Sequence, residues 1–79
     1  IIDDEERART ALSSLLKEYC PNVEIIAQCA NVPEGVLAIN QKRPQLVFLD
    51  IQMDDGSGFD LIEKLTSENL INFKIIWPN

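Results

Sequence analysis

The sequence predicts an α/β fold, a doubly wound parallel sheet with helices packed on its faces. Short apolar, β-branched runs alternate with stretches of helical period in the order β-α-β-α-β-α-β, joined by short connections. The run Leu46–Leu49 is continuously apolar, as expected of a strand covered on both faces. Pro21 and Pro44 follow the first two helical stretches, where the chain must leave helical geometry. Crossovers between parallel strands of this kind are right-handed. No internal repeat or low-complexity linker breaks the pattern.

Each element has its own reason. Ile1-Ile2 is the end of a strand, stopped by Asp3-Asp4. From Glu5 to Tyr19 the residues Ala8, Leu12, Leu15, Leu16 and Tyr19 recur at three- and four-residue steps, the period of an amphipathic helix. Acids at its start and Lys17 near its end suit the helix dipole. Val23–Ala27 is β-branched and apolar and reads as the second strand. Asn31 and Glu34 have the spacing of a capping box, with Pro33 in the first turn. The helix they open turns Val32, Val36 and Ile39 inward and ends near Lys42. Leu46–Leu49 is the third strand. Ser57 and Asp60 stand where they can cap a third helix, which buries Phe59, Ile62 and Leu65. Lys74–Trp77 starts a fourth strand, and Pro78 fits poorly inside it. Tyr19, Phe48, Phe59 and Phe73 are assigned to the core. Trp77 and the edge of the fourth strand favour self-association if nothing covers them.

Composition narrows the class. With 79 residues, 46% apolar and 25% charged, the chain is globular and holds one domain at most. Below roughly 70–80 residues a single core seldom supplies much net stability. Ile1 begins inside an apolar run and Asn79 stops just after another, so the chain reads as a fragment. The net charge of −6 leaves no basic stripe for phosphates, which argues against direct nucleic-acid contact. Cys20 and Cys29, in an aliphatic α/β pattern, read as reduced core residues and not as a bridge. No run reaches membrane-spanning length and no signal peptide is visible, so a cytoplasmic location is the default.

Asp50 is the residue that asks for an explanation. A charge placed directly after four buried apolar residues needs a partner or a task. In open α/β sheets, ligands bind beyond the carboxyl ends of the strands where the strand order reverses. If the first and third strands are neighbours there, Asp3, Asp4 and Asp50 converge. Unpaired, three carboxylates repel one another, and a hard divalent cation relieves this better than a proton does. Magnesium (Mg2+) suits such a site, since it takes one or two carboxylates, keeps several waters and leaves room for phosphate oxygens. Taken alone, Asp3-Asp4 before a helix would mean only capping and dipole complementarity. The combination with Asp50 in a βαβαβ frame points to a site.

Three stretches, "DDEERAR" near the start, "PQLVFLDIQM" in the middle and "GSGFDLIEKL" after it, carry a resemblance across the whole chain. They resemble the receiver domain of a bacterial two-component response regulator. "FLDIQM" together with "DDEERAR" is also similar to regulators with a LytTR-type DNA-binding output. The resemblance implies a flavodoxin-like sheet of strand order 2-1-3-4, with the fifth strand, the last helices and the output domain outside the chain. Receiver proteins are among the cases that the switch-point rule generalises, so that geometry belongs to the resemblance.

The resemblance also implies roles. Asp50 matches the phosphoryl acceptor, which takes its group from a histidine kinase. Asp4 matches a direct magnesium ligand, Asp3 an acid holding the metal largely through water, and the backbone carbonyl of Gln52 a third protein ligand. The domain's only catalysis would then be assistance to its own phosphorylation and dephosphorylation. Such a domain switches an output, here DNA-binding transcriptional regulation. Its partners are the kinase and a second copy in a homodimer, with no membrane and no direct DNA contact from these residues.

Departures from the family pattern count too. Asp54 stands where the family usually has proline, which frees the loop and adds charge beside the site. The hydroxyl residue ending the fourth strand and the lysine ending the fifth are not matched within the 79 residues. Other readings fail on spacing. A calcium loop counted from Asp50 would need glycine at Asp55 and glutamate at Leu61. A phosphatase of the haloacid dehalogenase type would need an acid at Gln52. No glycine-rich fingerprint follows the first strand, and Gly56 and Gly58 read as turn residues. The remaining alternative is a receiver-like protein-interaction module that is not phosphorylated.

Overall fold

A computed structural model describes residues 1–50, 63–65 and 74–76, together with the backbone of 52–53 and 56–57. Its elements are α1 (Glu6–Tyr19), α2 (Val32–Lys42), β1 (Leu46–Phe48), β2 (Gln52–Met53), β3 (Gly56–Ser57) and β4 (Lys74–Ile76). Helices alternate with parallel pairing, as an α/β chain requires.

Ile2 lies between two parallel neighbours, bridging Cys29 on one side and Leu49 on the other. Its amide donates to the Phe48 carbonyl at 2.8 Å, and its carbonyl accepts from the Asp50 amide at 2.9 Å. On the other side, the Cys29 amide donates to Ile1 at 2.8 Å and the Asp3 amide donates to Cys29 at 3.0 Å. β1 in turn pairs in parallel with β4, with Val47 opposite Ile75.

The second predicted strand needs correction. No ladder runs along Val23–Ala27; the pairing to Ile1–Asp3 starts at the Ala27 carbonyl, which accepts from the Ile1 nitrogen at 3.1 Å, and centres on Cys29. The segment still alternates, with 25, 27 and 29 more buried than 24, 26 and 28. Val23 and Ile26 are exposed. A turn precedes them, in which the Val23 amide donates to the Cys20 carbonyl at 3.0 Å around Pro21.

α1 begins one residue later than predicted and buries a narrower part of the predicted stripe, with Leu16 buried and Ala8 and Leu12 half-buried. Ser13 and Leu16 are buried, whereas Leu15 is 53% exposed and Tyr19 is 70% exposed, so neither belongs to the core. Leu15 and Leu16 lie about 100° apart around a helix, and only Leu16 turns inward. The small hydroxyl of Ser13 completes that inner stripe, which a purely apolar reading does not see.

α2 follows its signals closely. The Asn31 side chain accepts from the Glu34 amide at 2.9 Å and donates to Glu34 Oε2 at 2.8 Å. Glu34 Oε1 accepts from the Ala30 amide at 3.3 Å, one residue before the usual capping-box partner. The helix ends at Lys42 because Arg43 takes a left-handed conformation at φ 49°, its amide closing onto Ile39, and Pro44 follows.

The core joins Ile2, Cys29, Ile39, Val47, Leu49 and Leu65, with Val32 and Val36 packed against it. Fully burying one such side chain stabilises the fold by about 1.5–3 kcal/mol. Leu65 is buried as its pattern predicts, and Glu63–Leu65 is helical. Phe48 is half-buried. Both cysteines are free; Cys29 is buried, and that burial pushes its thiol pKa up.

An unpredicted hairpin follows the third strand. β2 and β3 pair antiparallel, Gln52 with Ser57 and Met53 with Gly56. Ser57, read as a helix cap, belongs to this hairpin, and Gly56 to its returning strand. Asp54, Gly58, Phe59, Asp60, Ile62, Phe73, Trp77 and Pro78 lie outside the described residues.

Candidate functional site

Ile2 and Leu49 are directly paired in parallel strands, so the residues that follow them leave the sheet at the same end. Those residues are Asp3 and Asp50, and Asp4 comes next along the chain. One carboxylate oxygen from each of the three lies within 4.8 Å of the others. Asp50 and the Asp3-Asp4 pair, 46 residues or more apart in the chain, form one cluster.

Asp3 is the most deeply set, 7% exposed, with Asp4 and Asp50 half-buried. Burial pushes the Asp3 carboxyl pKa up, and the charges of Asp50, Asp4 and Glu5 push the same way. The Glu5 amide, donating to Asp3 Oδ1 at 2.9 Å, works against them. Burial and repulsion prevail, so the cluster attracts positive charge.

The donor set has the chemistry of a hard cation, being oxygen throughout and anionic. Magnesium holds oxygens at about 2.0–2.1 Å, so two direct ligands can be at most about 4.2 Å apart. A cluster spread over as much as 4.8 Å fits that ion when one acid acts through water. Gln52, the other candidate, lies two residues past Asp50 and pairs through its backbone with Ser57.

Sequence reasoning gave Arg9 no role, although it lies inside "DDEERAR". Its Nη1 donates to the backbone carbonyl of Asp3 at 2.7 Å, a short charge-assisted bond. The first turn of α1 thus holds the loop that carries Asp3 and Asp4. No helix among the described residues is long and apolar enough to cross a membrane.

Comparison with known proteins agrees with this arrangement. The family model described as response regulator receiver domain matches residues 1–77. An uncharacterized response regulatory protein of Vibrio cholerae is 46% identical over 70 residues, covering 89% of this chain and 29% of that protein. The sensory transduction protein LytT of Enterococcus faecalis is 46% identical over 66 residues, covering 84% and 27%. The transcriptional regulatory protein BtsR of Escherichia coli K12 is 41% identical over 69 residues, covering 87% and 28%. The chain spans less than a third of the length of these relatives. A family match over nearly every residue, with three acids meeting at the strand ends, makes this chain a member of the response regulator receiver domain family.

Proposed function

We propose that Asp50 accepts a phosphoryl group from a histidine kinase, with Mg2+ held by Asp4 and Asp50 directly, by Asp3 through water and by the Gln52 backbone carbonyl. The observation that carries the reading is the convergence of the three acids within 4.8 Å. Asp50 supplies a carboxylate oxygen that bonds to phosphorus while the bond from phosphorus to the donor's histidine nitrogen breaks. Its backbone is held for this by the hydrogen bond from its amide to Ile2. Bound magnesium supplies positive charge against the oxygens of the transferring group. Asp3 and Asp4 keep that ion beside Asp50 and otherwise raise the cost of any added negative charge.

The sheet order that fits is 2-1-3-4, supported by the two bridges of Ile2 and by the pairing of β1 with β4. The domain does no chemistry on other molecules and only assists its own phosphorylation and dephosphorylation. The new charge on Asp50 would reorder nearby loops and switch an attached output. Similarity to a protein named as a transcriptional regulator favours a DNA-binding output, of LytTR type, in the cytoplasm. A homodimer is the assembly through which such an output would act. No specific observation favours an interaction module that is never phosphorylated.

Incubation with acetyl phosphate and magnesium, followed by intact-mass measurement, tests the reading. One phosphoryl group is expected on the wild type and none on Asp50→Asn. Equal modification of both proteins, or none on the wild type with magnesium present, would overturn it.

A further inference from the structure

Gly35 lies in the first half of α2 and is buried, although nothing in a helix interior calls for glycine. A Cβ built there would meet Ile2 Cδ1 at 2.7 Å, with Ile2 Cγ1 at 3.3 Å and Cγ2 at 3.4 Å. Contacts under about 3.0 Å force a displacement. The tip of an isoleucine side chain can swing aside where there is room, but Ile2 is 3% exposed, inside the core cluster. A close-packed interior passes such a displacement on to the backbone.

The backbone of Ile2 is what holds the acid cluster together. Its carbonyl accepts from the Asp50 amide, its amide donates to Phe48, and Asp3 is its immediate neighbour. The capping box at Asn31 and Glu34 fixes where α2 begins, and so where Gly35 falls. We infer that Gly35 is a positioning residue for the acid cluster: its missing side chain lets α2 close on Ile2, and that contact sets where Asp3 and Asp4 stand relative to Asp50.

This rests on the proposal that the cluster holds magnesium, and the experiment separates the two. Magnesium chloride is titrated into the wild type and into Gly35→Ala, Ile2→Val and the double variant. The amides of Asp3, Asp4 and Asp50 are followed by 1H–15N NMR at a temperature where each protein is folded. Alanine is the better helix former, so local preference alone would make Gly35→Ala harmless. Ile2→Val removes the Cδ1 methyl that the new Cβ would strike.

The expected result is a Kd raised at least threefold in each single variant and returned to within twofold of wild type in the double variant. Global stability alone would not move the Kd of folded protein in this reciprocal way. If Gly35→Ala does not fold, the comparison of Ile2→Val with the double variant decides: a Kd recovered on adding the alanine supports the inference, and a Kd unchanged or worse overturns it. Wild-type affinity in folded Gly35→Ala also overturns it. No magnesium response in the wild type defeats the site itself, and the inference with it.

Discussion

The guanidinium of Arg9 is bonded to the backbone of Asp3 and not to its carboxylate, with Nη1 2.7 Å from the carbonyl oxygen. The bond ties α1 to the end of the first strand while leaving the Asp3 carboxylate for other partners. Arg9→Ala removes a charge-assisted bond that is partly buried, and bonds of this kind contribute about 1.5–3 kcal/mol when well shielded. Partial exposure places the expected loss near the lower figure, and each kcal/mol lowers Tm by about 4–8 °C in a domain of this size. Arg9→Lys keeps the charge but loses the planar fork, so it should recover only part of the loss. Thermal unfolding followed by circular dichroism checks the order wild type, Lys, Ala. An alanine variant as stable as wild type would mean that the bond holds nothing.

The α2 cap gives a second prediction. Asn31 satisfies the Glu34 amide and also holds the Glu34 carboxylate, which reaches back to Ala30. Asn31→Ala should cost about 1 kcal/mol, the usual value for a lost cap. Asn31→Asp should retain the bond to the amide but set two carboxylates against each other, and so fall between the two. Urea unfolding at constant m-value measures both. A neutral Asn31→Ala would show that the cap adds nothing to the helix.

These local signals were legible because they are short-range. Asn31 and Glu34 are three residues apart, and the acids follow apolar runs whose strand character is plain. The second strand reads at Val23–Ala27 from its β-branched residues, whereas the pairing observed with Ile1–Asp3 involves Ala27 and Cys29. On α1 the apolar pattern picks out Leu16 but not Ser13, which is buried and carries no apolar signal. Arg9 could not be read at all, because its partner is a backbone carbonyl, which leaves no mark in a sequence. Gly35 in a helical pattern reads as a weakness until Ile2 is seen against it. The hairpin of β2 and β3, two residues a side, is too short to show alternation.

The acid cluster gives the prediction with a sign to work out. Burial, reinforced by Asp50, Asp4 and Glu5, raises the folded pKa of Asp3 above its ordinary 3.8. Between that value and the raised one, folded Asp3 keeps a proton that the unfolded chain has released, so stability falls as pH rises through this window. Protonated Asp3 therefore contributes stability in full below 3.8, and the contribution is lost once pH passes the folded pKa. At neutral pH the ionised, buried carboxylate counts against the fold. Asp3→Asn keeps the side-chain oxygen that accepts from the Glu5 amide and removes the charge. Without magnesium it should raise Tm at pH 7 and flatten the fall in stability from acid to neutral pH. Magnesium at ten times its Kd should stabilise the wild type by about 1.4 kcal/mol and the variant by much less, since an amide is a poorer ligand for the hard ion. Thermal melts at pH 4, 5.5 and 7, with and without magnesium chloride, measure all of this. A variant less stable than wild type at pH 7 without the ion would show that Asp3 is already compensated in the folded chain, and that the cluster has no need of a cation.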